Sequence, residues 1–334
     1  GSGSAGIRTD IAINGDLIGT VGHCHDVARV EIDATNLVVS PGFIDVHSHD
    51  DLAVLEDPEM IHKISQGVTT DIVGNCGWAA VPRSPINDRW LESGILGSKR
   101  PPSWKDVGEY RARIDSAHPS CNVAILIGYG AVRRAVLGSS REKPTRRELR
   151  EIHRHLSAGM DAGALGVSTG LTYEPGRYSS TQELIRAIEP IAQDEGLYVS
   201  HIRNEGSGLV QAVEEAIEIG RRGGCSLHIS HHKALGRENW GKVKQSIAVI
   251  DSARSESLDV TTDVYPYTAS STLLHTVVRE GIRSDEAASV VVASSAYPDS
   301  AGRSLLDLSE INGLEFDEMA FRITETDPAT VVVR

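Results

Sequence analysis

Apolar and polar positions alternate with a period near two through residues 7–40, in the runs IRTDIAING, DLIGTVG, ARVEIDATN and LVVSP. That period marks strands with one covered face. Asn14-Gly15 is a strong hairpin signal between the first two runs, so residues 1–40 are expected to form part of a small β domain. From residue 41 the pattern becomes apolar strand, turn, amphipathic helix, repeated. Strands are predicted at 43–47, 68–73, 122–127, 164–168, 197–201, 226–230 and 259–264. Two of the intervening helices open on capping-box signatures, Thr145 with Glu148 and Ser180 with Glu183.

Strand alternating with helix implies a parallel sheet. Residues 41–274 therefore read as seven strands of a TIM (β/α)8-type barrel, an α/β fold incomplete at its C-terminal end. A doubly wound open sheet competes with this reading, but no G-x-G-x-x-G turn follows the first strand. Residues 275–334 depart from the repeat. They hold a polar loop, ASSAYPDSAG, short helical pieces around 305–322 and a final ATVVVR that reads as the start of another strand. The eighth barrel strand is expected to be missing from this chain.

Composition narrows the function. The 334 residues carry a formal net charge of −13, with 40% apolar and 24% charged residues. A core of ordinary size is implied, and the acidic balance argues against nucleic acid and anionic membrane surfaces. No run approaches the roughly 20 apolar residues that span a bilayer. Cys24, Cys76, Cys121 and Cys225 form no C-x-x-C pair, which points to a reducing cytoplasm rather than a disulfide framework. Cys121 and Cys225 read as small buried hydrophobes, and Cys24 as part of a turn.

The candidate chemistry gathers at strand ends. In PGFIDVHSHDD, Asp45, His47 and His49 share one strand face. Two imidazoles about 7 Å apart on that face can converge on one cation where the strand ends or bends. A lone H-x-H is as readily a pair of surface histidines, so the other strands decide. Barrel enzymes place their chemistry at the C-terminal strand ends. There VGNCG supplies Cys76, YVSHIRNE supplies His201, SLHISHHKALG supplies His231 followed by Lys233, and VTTDVYPYTASST supplies Asp263, Tyr265 and Tyr267. Four strands ending independently in His or Cys at one rim favour a metal centre, and imidazole with thiolate suits Zn²⁺. His232 faces away from His231. His23, His25, His62, His118, His153, His155, His228 and His275 lie off the strand ends and read as structural or solvated.

Together, PGFIDVHSHDD, GVTTDIVGNCG, GALGVSTGLTYEPG, YVSHIRNEG and ISHHKALG resemble the N-acyl-D-amino-acid deacylases, or D-aminoacylases, of the metal-dependent amidohydrolase superfamily, in order from about residue 4 to 275. AGRSLLDLSEINGLEFDEMAF resembles the lid-like insertion that follows strand seven in that family. The resemblance implies a TIM barrel with a small β domain and bound zinc. It implies a tight site of Cys76, His201 and His231, and a weaker second site of His47 and His49 bridged by the Cys76 thiolate. It further implies substrate contacts from Lys233, Tyr265 and Ser271. Two departures stand out. The family's general acid/base, an Asp in S-D-G at the end of strand eight, has no counterpart, since IRSDEA at 282–287 sits in polar helix-like sequence. The family's histidine after strand three is replaced by Tyr129 in LIGYGAVRRAV.

The implied reaction is hydrolysis of the amide between an acyl group and a D-amino acid, a small-molecule substrate. Lys233, Arg203 or the Tyr265 hydroxyl is a candidate to hold the substrate carboxylate or an oxyanion; for Arg203 an ion pair with Glu205 is the competing role. Ring-opening amidohydrolases of the hydantoinase type are the nearest alternative. They use a carboxylated lysine on strand four, where this chain reads GALGVSTG. A catalytically inactive zinc-binding homologue is the other, and the absent strand-eight Asp leads to the expectation that these residues alone do not catalyse.

Overall fold

The computed structural model describes residues 5–84, 96, 104–282 and 286–334. It divides into two compact units, Gly1–Phe43 and Ile44–Arg334. In the first, strands β1 (Asp10–Asn14) and β2 (Leu17–Gly22) pair antiparallel, with Asn14 opposite Leu17. Gly15 turns the chain at φ +65°, a conformation open to glycine without strain. The hairpin forms where Asn14-Gly15 predicts it. The two further strands expected at ARVEIDATN and LVVSP do not form. Val30 and Val38 there are 64% and 95% exposed, and β propensity becomes a strand only where a neighbour supplies the ladder and a covering face.

The second unit is built on seven strands: β3 (Phe43–Asp45), β4 (Val68–Val73), β5 (Asn122–Gly128), β6 (Gly166–Gly170), β7 (Leu197–His201), β8 (Ser226–Ile229) and β9 (Val260–Thr262). Each pairs with the next in sequence, and the ladders from β4 to β9 are parallel. The sheet is curled, because Asp263, just past β9, comes within 3.2 Å of His47, just past β3. The two edge strands thus bring their C-terminal ends together, as a seven-stranded part of a TIM-type barrel must.

Helices pack between the strands with the periodicity the sequence carries. Arg146–Asp161 starts on a complete capping box, Thr145 with Glu148, and buries Ile152 and Leu156. Thr181–Ala187 is capped by Ser180, but the expected reciprocal bond from Glu183 is absent. The Glu183 carboxylate turns inward and accepts from Tyr129 Oη at 2.8 Å, Arg133 Nε at 2.9 Å and Ser179 Oγ at 2.8 Å. A buried arginine demands an anion more strongly than an exposed cap does.

The last segment forms its own antiparallel sheet from β10 (Ser271–Leu273), β11 (Val291–Ser294) and β12 (Val331–Val333), with β12 in the middle. Leu305–Asn312 and Phe316–Thr326 pack against it around a separate core that includes Leu308, Met319, Ile323 and Val332. The strand predicted at ATVVVR therefore forms, but it pairs with Ser271–Leu273 and Val291–Ser294 and is no part of the barrel. Arg283, Ser284 and Asp285 of IRSDEA lie outside the described residues.

Candidate metal centre

The H-x-H segment lies beyond the end of β3. Ser48 anchors it through its backbone N–H and its hydroxyl, which both donate to Ile72 O of β4, at 3.3 and 3.2 Å. Asp45 Oδ1 accepts from the His47 N–H at 3.1 Å. Asp45 therefore does not join the histidines as a donor, and its other oxygen pairs with Lys63 Nζ at 2.6 Å. The His47 and His49 rings stand edge to face, 5.7 Å apart.

Cys76 is delivered by a tight loop after β4. Gly74, Cys76 and Gly77 have φ of +83°, +56° and +74°, a left-handed run that glycines make tolerable. The buried Asp51 carboxylate holds the loop, accepting from the Gly74 and Ala80 N–H groups at 3.1 Å each. Burial pushes the Asp51 pKa up to about 6.

Five donors from four strand ends converge. The ligand atoms of His47, His49 and Cys76 lie within 4.8 Å of one another, as do those of Cys76, His201 and His231. Cys76 Sγ belongs to both sets, 3.3 Å from His47 Nε2 and 3.6 Å from His231 Nε2. The His201 and His231 rings meet edge to face at 4.4 Å.

Each of three imidazoles is held from behind. His47 Nδ1 lies 3.2 Å from Asp263 Oδ2, His231 Nδ1 2.7 Å from Glu205 Oε1, and His201 Nε2 2.9 Å from Thr172 Oγ1. This outer layer is the arrangement that orients metal-ligating histidines. Burial opposes ionisation of Cys76, but the His47 charge and the neighbouring His201 and His231 imidazoles bring its thiol well below the ordinary range. Burial likewise disfavours imidazolium at His47, yet Cys76 and Asp263 outweigh it and hold the pKa up at about 10. At Glu205 the charge of His231 overcomes burial and keeps the carboxylate ionised far below its usual range.

The donor set fits a divalent metal. Buried His49 Nδ1 and His201 Nδ1 have no hydrogen-bond partner, a condition that costs free energy unless something is bound there. A thiolate with imidazoles suits zinc.

The other predicted residues divide. Lys233 is at the site, with Nζ 2.6 Å from Glu205 Oε1 and 5.5 Å from the Tyr265 ring centroid. Tyr265 is half-buried, and its burial pushes the phenol up to about 12. Ser271 opens β10, opposite Val333. Arg203 is not available to a ligand in the manner expected. Its Nε and Nη2 bind Glu215 at 2.9 Å each, and its Nη1 and Nη2 donate to Arg177 O and Ser179 O. The ion pair expected with Glu205 is absent, because Glu205 faces His231 and Lys233.

Thr172 and His228 are neighbours of the site that sequence reasoning passed over, while Asp263, placed at the rim, and Glu205, read as a partner of Arg203, turn out to face the histidines. His228, read as structural or solvated, is buried and contacts Asp263 Oδ2 through Nε2 at 2.9 Å. The available signal was strand parity: His228 pairs with Thr261 of the adjacent strand, and Asp263 lies two residues beyond Thr261. His232, set apart from the site in the sequence reading, binds Ser246 Oγ at 2.8 Å.

Comparisons with known proteins bear on the family and the fold. Residues 30–294 match the model of the amidohydrolase family. The chain is 38% identical over 275 residues to N-acyl-D-glutamate deacylase of Alcaligenes xylosoxydans xylosoxydans, covering 82% of this chain and 56% of that protein. D-aminoacylase of the same organism is 36% identical over 279 residues, with the same shares covered. The chain thus spans about half the length of the curated relatives it matches. Among solved structures, N-acyl-D-glutamate deacylase from Bordetella bronchiseptica, complexed with zinc and a phosphonate mimic of the tetrahedral intermediate, superposes with a TM-score of 0.90 at 35% identity, covering 99% of this chain and 68% of that one. Among the described residues no helix is long and apolar enough to cross a membrane.

Proposed function

This chain belongs to the amidohydrolase family, and on that premise we propose that it carries the zinc centre of a deacylase that hydrolyses the linear amide of N-acyl-D-amino acids. The observation that carries the reading is the single thiolate, Cys76, shared by two donor sets of imidazoles. Cys76, His201 and His231 are the tight set and His47 with His49 the second, weaker one. Relatives named as deacylases of N-acyl-D-glutamate and N-acyl-D-aspartate support the substrate class.

When bound, zinc supplies a Lewis acid for the amide carbonyl and lowers the pKa of water toward neutrality. The chain's own residues do the rest. Lys233, tied to Glu205 and lying over the Tyr265 ring, presents a fixed cation at the rim. The Tyr265 and Ser271 hydroxyls are the further contacts we assign to the substrate carboxylate. Asp263, the carboxylate nearest the role of a proton carrier, has both oxygens engaged by His47, His228 and the His231 N–H. It serves the ligands rather than the substrate. We take the protein to work in the cytoplasm on a small molecule, in keeping with four free cysteines and a net charge of −13.

The test is stereochemical. Zinc-loaded protein is titrated calorimetrically with N-acetyl-D-glutamate and with its L-isomer, and amine release from both is followed. Preference for the D-isomer is expected. Equal binding and equal turnover of the two would point to another amidohydrolase branch.

A further inference from the structure

We propose that Asp263 is the positioning residue that sets the tautomer of His47 and the backbone of His231, and so joins the two donor sets through one carboxylate. The inference rests on the metal-centre reading above and adds a residue outside the donor sets.

Asp263 Oδ2 contacts two imidazoles, His47 Nδ1 at 3.2 Å and His228 Nε2 at 2.9 Å. An ionised carboxylate only accepts, so His47 keeps a proton on Nδ1, and Nε2 is the nitrogen that would give up its proton to a bound metal. That is the nitrogen facing Cys76 Sγ. Oδ1 accepts from the His231 N–H at 2.6 Å. His231 sits at φ +36°, a conformation strained for a non-glycine residue, and a charge-assisted bond to its N–H helps hold it there. One ligand of each donor set therefore depends on the same side chain.

The carboxylate is itself fixed. Asp263 N–H donates to Ile229 O at 3.2 Å and Asp263 O accepts from the His232 N–H at 2.9 Å. His228 is locked in turn by Thr261 Oγ1 at 2.7 Å from its Nδ1. Thr261, His228, Asp263 and His47 form a continuous polar line from the β8–β9 ladder to the end of β3. It crosses the gap between the two edge strands, where no ladder hydrogen bond ties them.

Asp263→Asn separates the two roles. The amide oxygen can still accept from the His231 N–H. Its NH₂ group would meet His47 Nδ1 and drive the His47 proton onto Nε2. The experiment titrates metal-free protein with Co²⁺ and follows the thiolate-to-cobalt charge-transfer band, with circular dichroism as a check on folding. The wild type should show two binding phases. In Asp263→Asn the phase that His47→Ala removes should weaken by about 10–100-fold, the other should persist, and in a His47→Ala background Asp263→Asn should cause no further change in the phase that remains. An unchanged Asp263→Asn titration, or additive losses in the double variant, would overturn the inference. Absence of any charge-transfer band in the wild type would instead defeat the metal-centre reading. If the variant does not fold, the ¹⁵N chemical shifts of His47 in zinc-loaded wild type decide: a proton on Nδ1 is expected, and a proton on Nε2 would refute the role.

Discussion

Glu205 braces His231 from the side away from Cys76: its Oε1 lies 2.7 Å from Nδ1, while Nε2 of the same ring lies 3.6 Å from Cys76 Sγ. The carboxylate also binds Lys233 Nζ at 2.6 Å, so the imidazole is aimed by an anion that is itself held. Glu205→Gln keeps the shape and removes the charge. It should weaken zinc binding at the Cys76, His201 and His231 set by about 10–100-fold. Competition against a chromophoric chelator measures this, and an affinity within twofold of wild type would mean that Glu205 does not tune the ligand.

Cys76 is the donor common to both sets. Cys76→Ala should therefore abolish tight zinc retention through gel filtration, where wild type is expected to keep about one zinc per chain. His47→Ala should leave that first metal in place. Retention of full zinc content by the Cys76 variant would remove Cys76 from the site.

The strands and the convergence of the candidate ligands were legible in the sequence for one reason: both are periodic or positional signals. Apolar runs predicted β4 to β9 within two residues, and barrel logic then placed His47, Cys76, His201 and His231 at one rim. What the sequence hid were partners set by three-dimensional competition. Glu183 reads as a capping residue, yet Arg133 beneath it is fully buried and takes the carboxylate. Arg203 and Glu205 are two residues apart and read as an ion pair, but their backbone directs them to Glu215 and His231. The ATVVVR strand was visible while its neighbours were not, because antiparallel partners from Ser271–Leu273 and Val291–Ser294 leave no mark on it.

Gly74 lets β4 turn toward Cys76. A Cβ there would stand 2.1 Å from Leu126 O, and the residue has φ +83°. Gly74→Ala must push β4 and β5 apart or distort the loop. A loss of roughly 2–4 kcal/mol is expected, read from urea unfolding. Gly241→Ala is the control, since its φ is +95° but nothing lies within 4 Å of the added carbon. Equal losses for the two would assign the effect to φ alone rather than to the close approach.

Arg133 and Glu183 form an ion pair with the arginine side chain 0% and the glutamate 3% exposed. Removing one partner strands the other charge, so Arg133→Met should cost about 3–5 kcal/mol. Pairing it with Glu183→Gln should recover much of that loss, because no uncompensated charge remains. A double variant as unstable as the sum of the two single ones would show that packing rather than charge dominates there.

Tyr198 supplies the alkaline limit of the fold. Its hydroxyl is fully buried between Thr169 Oγ1 at 3.1 Å and Ser200 Oγ at 3.3 Å. Burial, only partly offset by those two hydroxyls, pushes its pKa up to about 12 from an ordinary 10.0. The folded chain thus keeps a proton that the unfolded chain gives up first. The stability linked to that proton is fully present below pH 10 and is lost as pH rises toward 12. Tyr110 and Tyr129 are displaced the same way by burial and add to the decline. Tyr198→Phe should be less stable than wild type by about 1 kcal/mol at pH 8, from the lost hydrogen bonds. Its further loss between pH 10 and 12 should be smaller by up to roughly 2 kcal/mol, so the two stability curves converge. Parallel curves in urea unfolding across that range would mean that Tyr198 does not carry the linkage.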